Sequence, residues 1–204
     1  VKYSQLYKDK TIVIKYGGHA MGDKKLSSSF AKNIVSLKKL GINPVLVHGG
    51  GPQIGSMLDK LKIKSSFING LRITSEEIVD IVEMVLAGSI NKNIVSMINA
   101  AGGLAVGLSG KDANLIIAKK LISHIKDQNS NIEKVLDIGF VGQPVKINSS
   151  IINTVSKAGF IPVISPIGLG EKGETFNINA DTAAGSIASA LKAERILLLT
   201  DVPG

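Results

Sequence analysis

A chain of 204 residues, 44% of them hydrophobic, carries enough apolar surface to bury a core, which excludes disorder as its main state and fits one large or two small globular domains. Cysteine is absent, so disulfides, thiolate catalysis and cysteine metal sites are excluded together, and the composition suits a reducing compartment. The net charge of +8 points to anionic ligands, but scattered lysines and only 4% aromatics argue against a nucleic-acid surface and for an enzyme that handles polyanions.

Apolar runs such as Ile12 to Ile14 and Ile196 to Leu199 fall well short of the ~20 residues of a membrane span, so none is expected. Val1-Lys2-Tyr3-Ser4 shows no targeting pattern, although the missing initiator Met leaves a targeting peptide upstream open. Thr11 to Tyr16 is rich in β-branched residues and stops at Gly17-Gly18, the pattern of a strand ending in a glycine loop. Phe30, Ile34, Leu37 and Leu40 then recur at helical spacing before Gly41. A second strand, Val45 to His48, ends in Gly49-Gly50-Gly51-Pro52, and a helix begins near Pro52. Strand, helix, strand at this length is a right-handed βαβ unit with parallel strands.

Thr74-Ser75-Glu76-Glu77 has the form of a capping box with Thr74 as the cap, ahead of the helical stripe Ile78, Ile81, Val82, Val85 and Leu86. A separate helix is expected from Ser89 to Ala101, then hairpins over about 105–147. Ser149 to Lys157 reads as a helix, Ile161 to Ser165 as a strand, Ala180 to Leu191 as a helix and Arg195 to Thr200 as a buried strand. The alternation predicts an α/β fold, an open and mainly parallel sheet sandwiched between helices, with β-hairpins near 105–147. The chain stops just after the strand at Arg195 to Thr200, where this fold would supply another loop and helix, so a C-terminal truncation is expected.

Lys15 falls at the carboxyl end of the first strand, where open α/β sheets bind ligands, and Gly17 and Gly18 allow backbone N–H groups to approach a phosphate. Gly49-Gly50-Gly51, at the matching end of the second strand, offers free N–H groups at a helix start. Neither a Walker loop nor a dinucleotide fingerprint is present: Ala105 and Asp112 break the first, and Ile54 breaks the second. Arg72 and Arg195 are the only arginines. Arg72 lies between a turn and a helix start, placed to grip a carboxylate through two parallel hydrogen bonds. Asp181 either caps the following helix or orients lysine ammoniums, and Asn177 is a neutral donor for substrate oxygens. His19 and His48 lack partners at metal-ligand spacing and are read as structural.

Five segments, Lys15-Tyr16-Gly17-Gly18-His19-Ala20-Met21, Val47 to Pro52, Asn69 to Thr74, Asn177 to Asp181 and Leu199 to Val202, resemble in order the motifs of the N-acetylglutamate kinases within the amino acid kinase family. The resemblance implies phosphoryl transfer from ATP, with Mg²⁺, to the side-chain carboxylate of N-acetyl-L-glutamate in arginine biosynthesis. It implies Lys15 and Asp181 as catalytic residues, Gly17 and Gly18 beside the phosphoryl group, and Gly50, Gly51, Arg72 and Asn177 as binders of the amino acid. It further implies an amino-acid-binding lobe over 1–175 and the start of a nucleotide lobe over 176–204, with a second lysine and the adenine contacts beyond position 204. A kinase for a homologous acid such as acetylaminoadipate, or a non-catalytic amino-acid or nucleotide sensor, is the rival reading. Tyr3 and the segment to Asp9 resemble the N-terminal helix of arginine-inhibited, hexameric members. The Lys/Ile/Asn bias suits a plastid-encoded or cyanobacterial member, hence a prokaryotic cytoplasm or a plastid stroma, and for such a member the resemblance implies the PII signalling protein as a partner.

Overall fold

The computed structural model describes residues 5–17, 21–68, 70–126 and 133–199. Tyr3, Gly18, His19, Asn69 and Thr200 to Val202, all named above, lie outside the described residues. In chain order the elements are β1 (Thr11–Tyr16), α1 (Lys24–Lys39), β2 (Asn43–His48), α2 (Gly51–Lys60), β3 (Phe67–Ile68), β4 (Leu71–Arg72) and α3 (Glu76–Ala100). They continue with β5 (Ala105–Ser109), β6 (Ile116–Lys126), β7 (Glu133–Ile147), α4 (Ser150–Lys157), β8 (Ile161–Ser165), β9 (Ile167–Leu169), β10 (Thr175–Ile178), α5 (Ala180–Ala190) and β11 (Arg195–Leu199).

The core is a parallel sheet in the order β11-β1-β2-β8-β5, with helices on both faces. Side chains alternate along a strand, so β1 sends Ile12, Ile14 and Tyr16 into one apolar cluster, with α1 and α3, and Val13 into the other, with α5. Lys15 shares its parity with Val13 and so faces the α5 side. In β2 the same rule sends Val45 and Val47 toward α5 and turns His48 toward α3. Strands β6, β7, β9 and β10 close into a small second sheet beside the first.

Local sequence explains most boundaries. Asp23 caps α1 by accepting from Lys25 N and Leu26 N at 2.7 and 2.9 Å, and Gly41, at φ +82°, takes the left-handed position just past its end. Four expectations need correction. The cap of α3 is Ser75, whose Oγ accepts from Ile78 N, because the Thr74 backbone is already tied to Ile138 and Phe140. The expected helix from Ser89 is the second half of the 25-residue rod α3, continuous through a π-helical stretch, Met84–Ile90. This rod is long and apolar enough to cross a membrane, yet Ile78, Val82, Leu86, Ile90, Ile94 and Ile98 bury its stripe in the core. Of the hairpin region only β6 and β7 form an antiparallel pair, since Ala105 to Ser109 joins the parallel sheet beside β8. Finally, Ile196 to Leu199 is 38–52% exposed: β11 lies at the sheet edge beside β1, and among the described residues none of its side chains packs into either apolar cluster.

Candidate active site

One cleft of ≈ 210 Å³ opens at the carboxyl ends of β1, β2 and β8. It is lined by Lys15, Gly17, Gly50, Gly51, Arg72, Asn177 and Asp181, so every site residue expected from sequence, Gly18 apart, meets in one place although they span more than 160 positions.

The Lys15 ammonium is largely buried and pairs with Asp181 Oδ1 at 3.1 Å. Asp181 is not the cap of α5. Asn179 is, its Oδ1 accepting from Asp181 N and Thr182 N at 3.0 Å each. The Asp181 carboxylate is thereby left for the lysine. A Cβ on Gly17 would stand 3.0 Å from both Cε and Nζ of Lys15, so the missing side chain clears the path of the ammonium.

Across the cleft Arg72 is 7% exposed, and among the described residues it has no carboxylate partner. That removes the surface ion pair as its explanation. One guanidinium nitrogen donates to Gly51 O at 3.1 Å and another to Ser65 Oγ, while the plane rests over the Phe67 ring, 4.4 Å from its centroid. Burial pulls its pKa down, opposed by the charge of Asp59. These anchors use two of the five N–H groups and leave others for an anion. Asn177 Nδ2 donates to Thr74 Oγ1 at 3.4 Å, and that hydroxyl donates to Arg72 O at 2.9 Å, which couples two strands of the site.

Two helices, α2 and α5, begin at the cleft wall with Gly51 and Ala180. The first N–H groups of α2, which no side chain caps, and the dipoles of both helices add positive potential to Lys15 and Arg72. The glycine loop has a packing reason that the sequence did not reveal. A Cβ on Gly50 would lie 2.4 Å from Ile90 Cδ1 and 2.7 Å from Leu86 Cδ2, both in the π-helical stretch, whereas a Cβ on Gly51 meets nothing within 4 Å. Gly50→Ala should therefore cost about 1–3 kcal/mol of stability through overpacking. Gly51→Ala should be neutral or slightly stabilising through helix propensity. Chemical denaturation of both variants checks the contrast, and equal losses would refute it.

His48 is fully buried, as the structural reading required. Burial lowers its pKa to about 4, opposed by its bond to Gly49 O and reinforced by the Lys92 charge, so the ring is neutral at physiological pH. Its partner, Asn91, was not singled out from the sequence, where an asparagine inside an apolar helix carries no chemical signal. Among the described residues no group of three or more His, Asp or Glu side chains is arranged to hold a metal ion.

The amino acid kinase family model matches residues 10–204. The acetylglutamate kinases of Rhodospirillum centenum and Rhodospirillum rubrum are 60% and 61% identical over 202 residues, 99% of this chain and 66% and 65% of theirs. The chain thus spans about two thirds of the length of the curated relatives it matches. Among solved structures, smu.665 from Streptococcus mutans superposes with a TM-score of 0.82 at 31% identity, over 95% of this chain and 74% of that one. Fold, cleft and sequence agree, and the chain belongs to the amino acid kinase family.

Proposed function

We propose that the protein of which these residues are part transfers the γ-phosphoryl group of ATP to the side-chain carboxylate of N-acetyl-L-glutamate, a step of arginine biosynthesis. The observation that carries this reading is a single cleft holding two differently built cationic ends. Arg72, anchored and without a carboxylate partner among the described residues, suits the fixed carboxylate of an amino acid, with Asn177, Gly50 and Gly51 beside it. Lys15, steered by Asp181, suits a moving phosphoryl group, with Gly17 next to it.

A side-chain carboxyl of this kind ordinarily titrates near pH ~4.3, so the acceptor is already a nucleophile at neutral pH and no general base is required. Its oxygen forms a bond to phosphorus as the bond to the β-phosphate oxygen breaks, giving an acyl phosphate and ADP. What the protein must supply is alignment and charge neutralisation, which ammonium, guanidinium and helix N–H groups provide. Mg²⁺ enters as part of the ATP complex. Residues 1–175 would form the amino-acid lobe and 176–204 the start of the nucleotide lobe. To this reading the resemblance adds inhibition by arginine, a hexamer and a PII partner, and the Lys/Ile/Asn bias adds a cytoplasmic or plastid location.

The test is acyl-hydroxamate trapping with the complete protein, ATP, Mg²⁺ and hydroxylamine. N-acetylglutamate should give product, and the acid one methylene longer should be poorer by about 10–200-fold in kcat/KM, the usual reach of such discrimination. Preference for the longer acid would reassign the substrate. Ligand binding without product would make the protein a sensor.

A further inference from the structure

We infer that His48 is a positioning residue: held by Asn91 in one tautomer, it pins the Gly49 carbonyl and thereby aims the Gly50 N–H into the cleft for the acidic acceptor. The inference rests on the substrate reading above, but the hydrogen-bond logic stands on its own. His48 and Asn91 are both fully buried and neither lines the cleft. Asn91 Nδ2 donates to Val163 O at 2.9 Å and to His48 Nε2 at 3.2 Å, with Leu108 O a longer neighbour at 3.4 Å. Asn91 Oδ1 accepts from Lys92 Nζ at 3.2 Å.

A backbone carbonyl can only accept, so Val163 O fixes which end of the Asn91 amide faces it. The same nitrogen faces His48 Nε2, which must therefore be the acceptor, and the ring proton lies on Nδ1. From there it is donated to Gly49 O at 2.9 Å. The peptide joining Gly49 to Gly50 is trans, so its N–H points opposite to the pinned carbonyl, away from the buried ring. That N–H precedes the first intrahelical donor of α2, Ile54 N, and has no partner among the described residues, which leaves it for a ligand. Leu86 and Ile90 press on the same glycine from the π-helical stretch, which also carries the chain directly into Asn91. One buried network thus holds the cradle from beneath.

The protonation site can be read directly by long-range proton–nitrogen NMR of the imidazoles in the complete protein. A single neutral species at neutral pH with its proton on Nδ1 is expected, and a ring protonated on Nε2 overturns the inference. Calorimetric binding of N-acetylglutamate to two variants tests the consequence. In His48→Asn the amide nitrogen occupies the place of Nδ1 and keeps the donor to Gly49 O, so affinity should stay within about threefold. In His48→Gln the amide oxygen takes the place of Nε2 and accepts from Asn91, and the donor to Gly49 O is lost, so affinity should fall about tenfold, as for a broken hydrogen bond to a buried acceptor. A role in packing alone predicts the reverse order, because glutamine is the variant that keeps the Asn91 contact; equal or reversed affinities therefore overturn the inference. Wild-type protein that ignores N-acetylglutamate would sink the substrate reading instead, and the NMR result would then decide the tautomer by itself.

Discussion

Replacing Lys15 by alanine in the complete protein should lower kcat by ~100-fold or more while KM for N-acetylglutamate moves only a few-fold, the pattern of a contact that strengthens in the transition state. The ammonium lies at the carboxyl end of a central strand, on the face that α5 covers, and only Asp181 pairs with it among the described residues. As the phosphoryl group leaves ADP, charge redistributes over its equatorial oxygens, and a cation already oriented there needs no reorganisation. Folding should change little, because the Asp181 side chain left behind is 53% exposed and stays hydrated. Steady-state kinetics decide the matter. An unchanged kcat removes Lys15 from the chemistry.

Arg72→Lys should raise KM for N-acetylglutamate by about 10–100-fold, since charge-assisted hydrogen bonds of this kind contribute about 1.5–3 kcal/mol each. Charge is conserved in this substitution, so the loss isolates geometry. A lysine ammonium cannot bond Gly51 O and Ser65 Oγ, lie over the Phe67 ring and still present a planar fork to a carboxylate. The KM for ATP should barely move, because every anchor of Arg72 is on the side of the cleft formed by α2 and the β3–β4 hairpin. Equal rises in both constants would place the effect in general disruption and remove the assignment.

Those two residues were legible in the sequence for different reasons. Lys15 announced itself through position, after a β-branched run and before glycines, where strand geometry leaves few choices. Arg72 announced itself through scarcity in a lysine-rich chain. The strands and helices around them were legible because their period, their length and their terminal glycines all agree. What escaped was set by partners distant in sequence. Thr74 looks like a cap until the β7 backbone claims it, and Ala105 to Ser109 looks like half of a hairpin until β8, more than fifty residues later, pairs with it. Asp181 could be a cap or a lysine partner from sequence alone, and Asn179, two positions earlier, settles which. The π-helical stretch has no periodic signature of its own, yet it is where Gly50 meets Leu86 and Ile90.

The pairing of β1 with β11 also bears on how such a chain is made. Lys15 stands opposite Val47 on one side and Leu198 on the other, so its strand has one neighbour encoded close by and the other near the far end of the described residues. At synthesis rates of about 5–20 residues per second, a nascent β1 waits roughly 10–40 s for its second edge to be closed. During that wait β1 has a free row of amides and carbonyls on the edge that β11 will cover, and until α5 is made the lysine lacks the aspartate that steers it. The part of the site synthesised first is among the last to be fixed, and strands whose pairing awaits such distant sequence are the ones most in need of protection from unwanted partners.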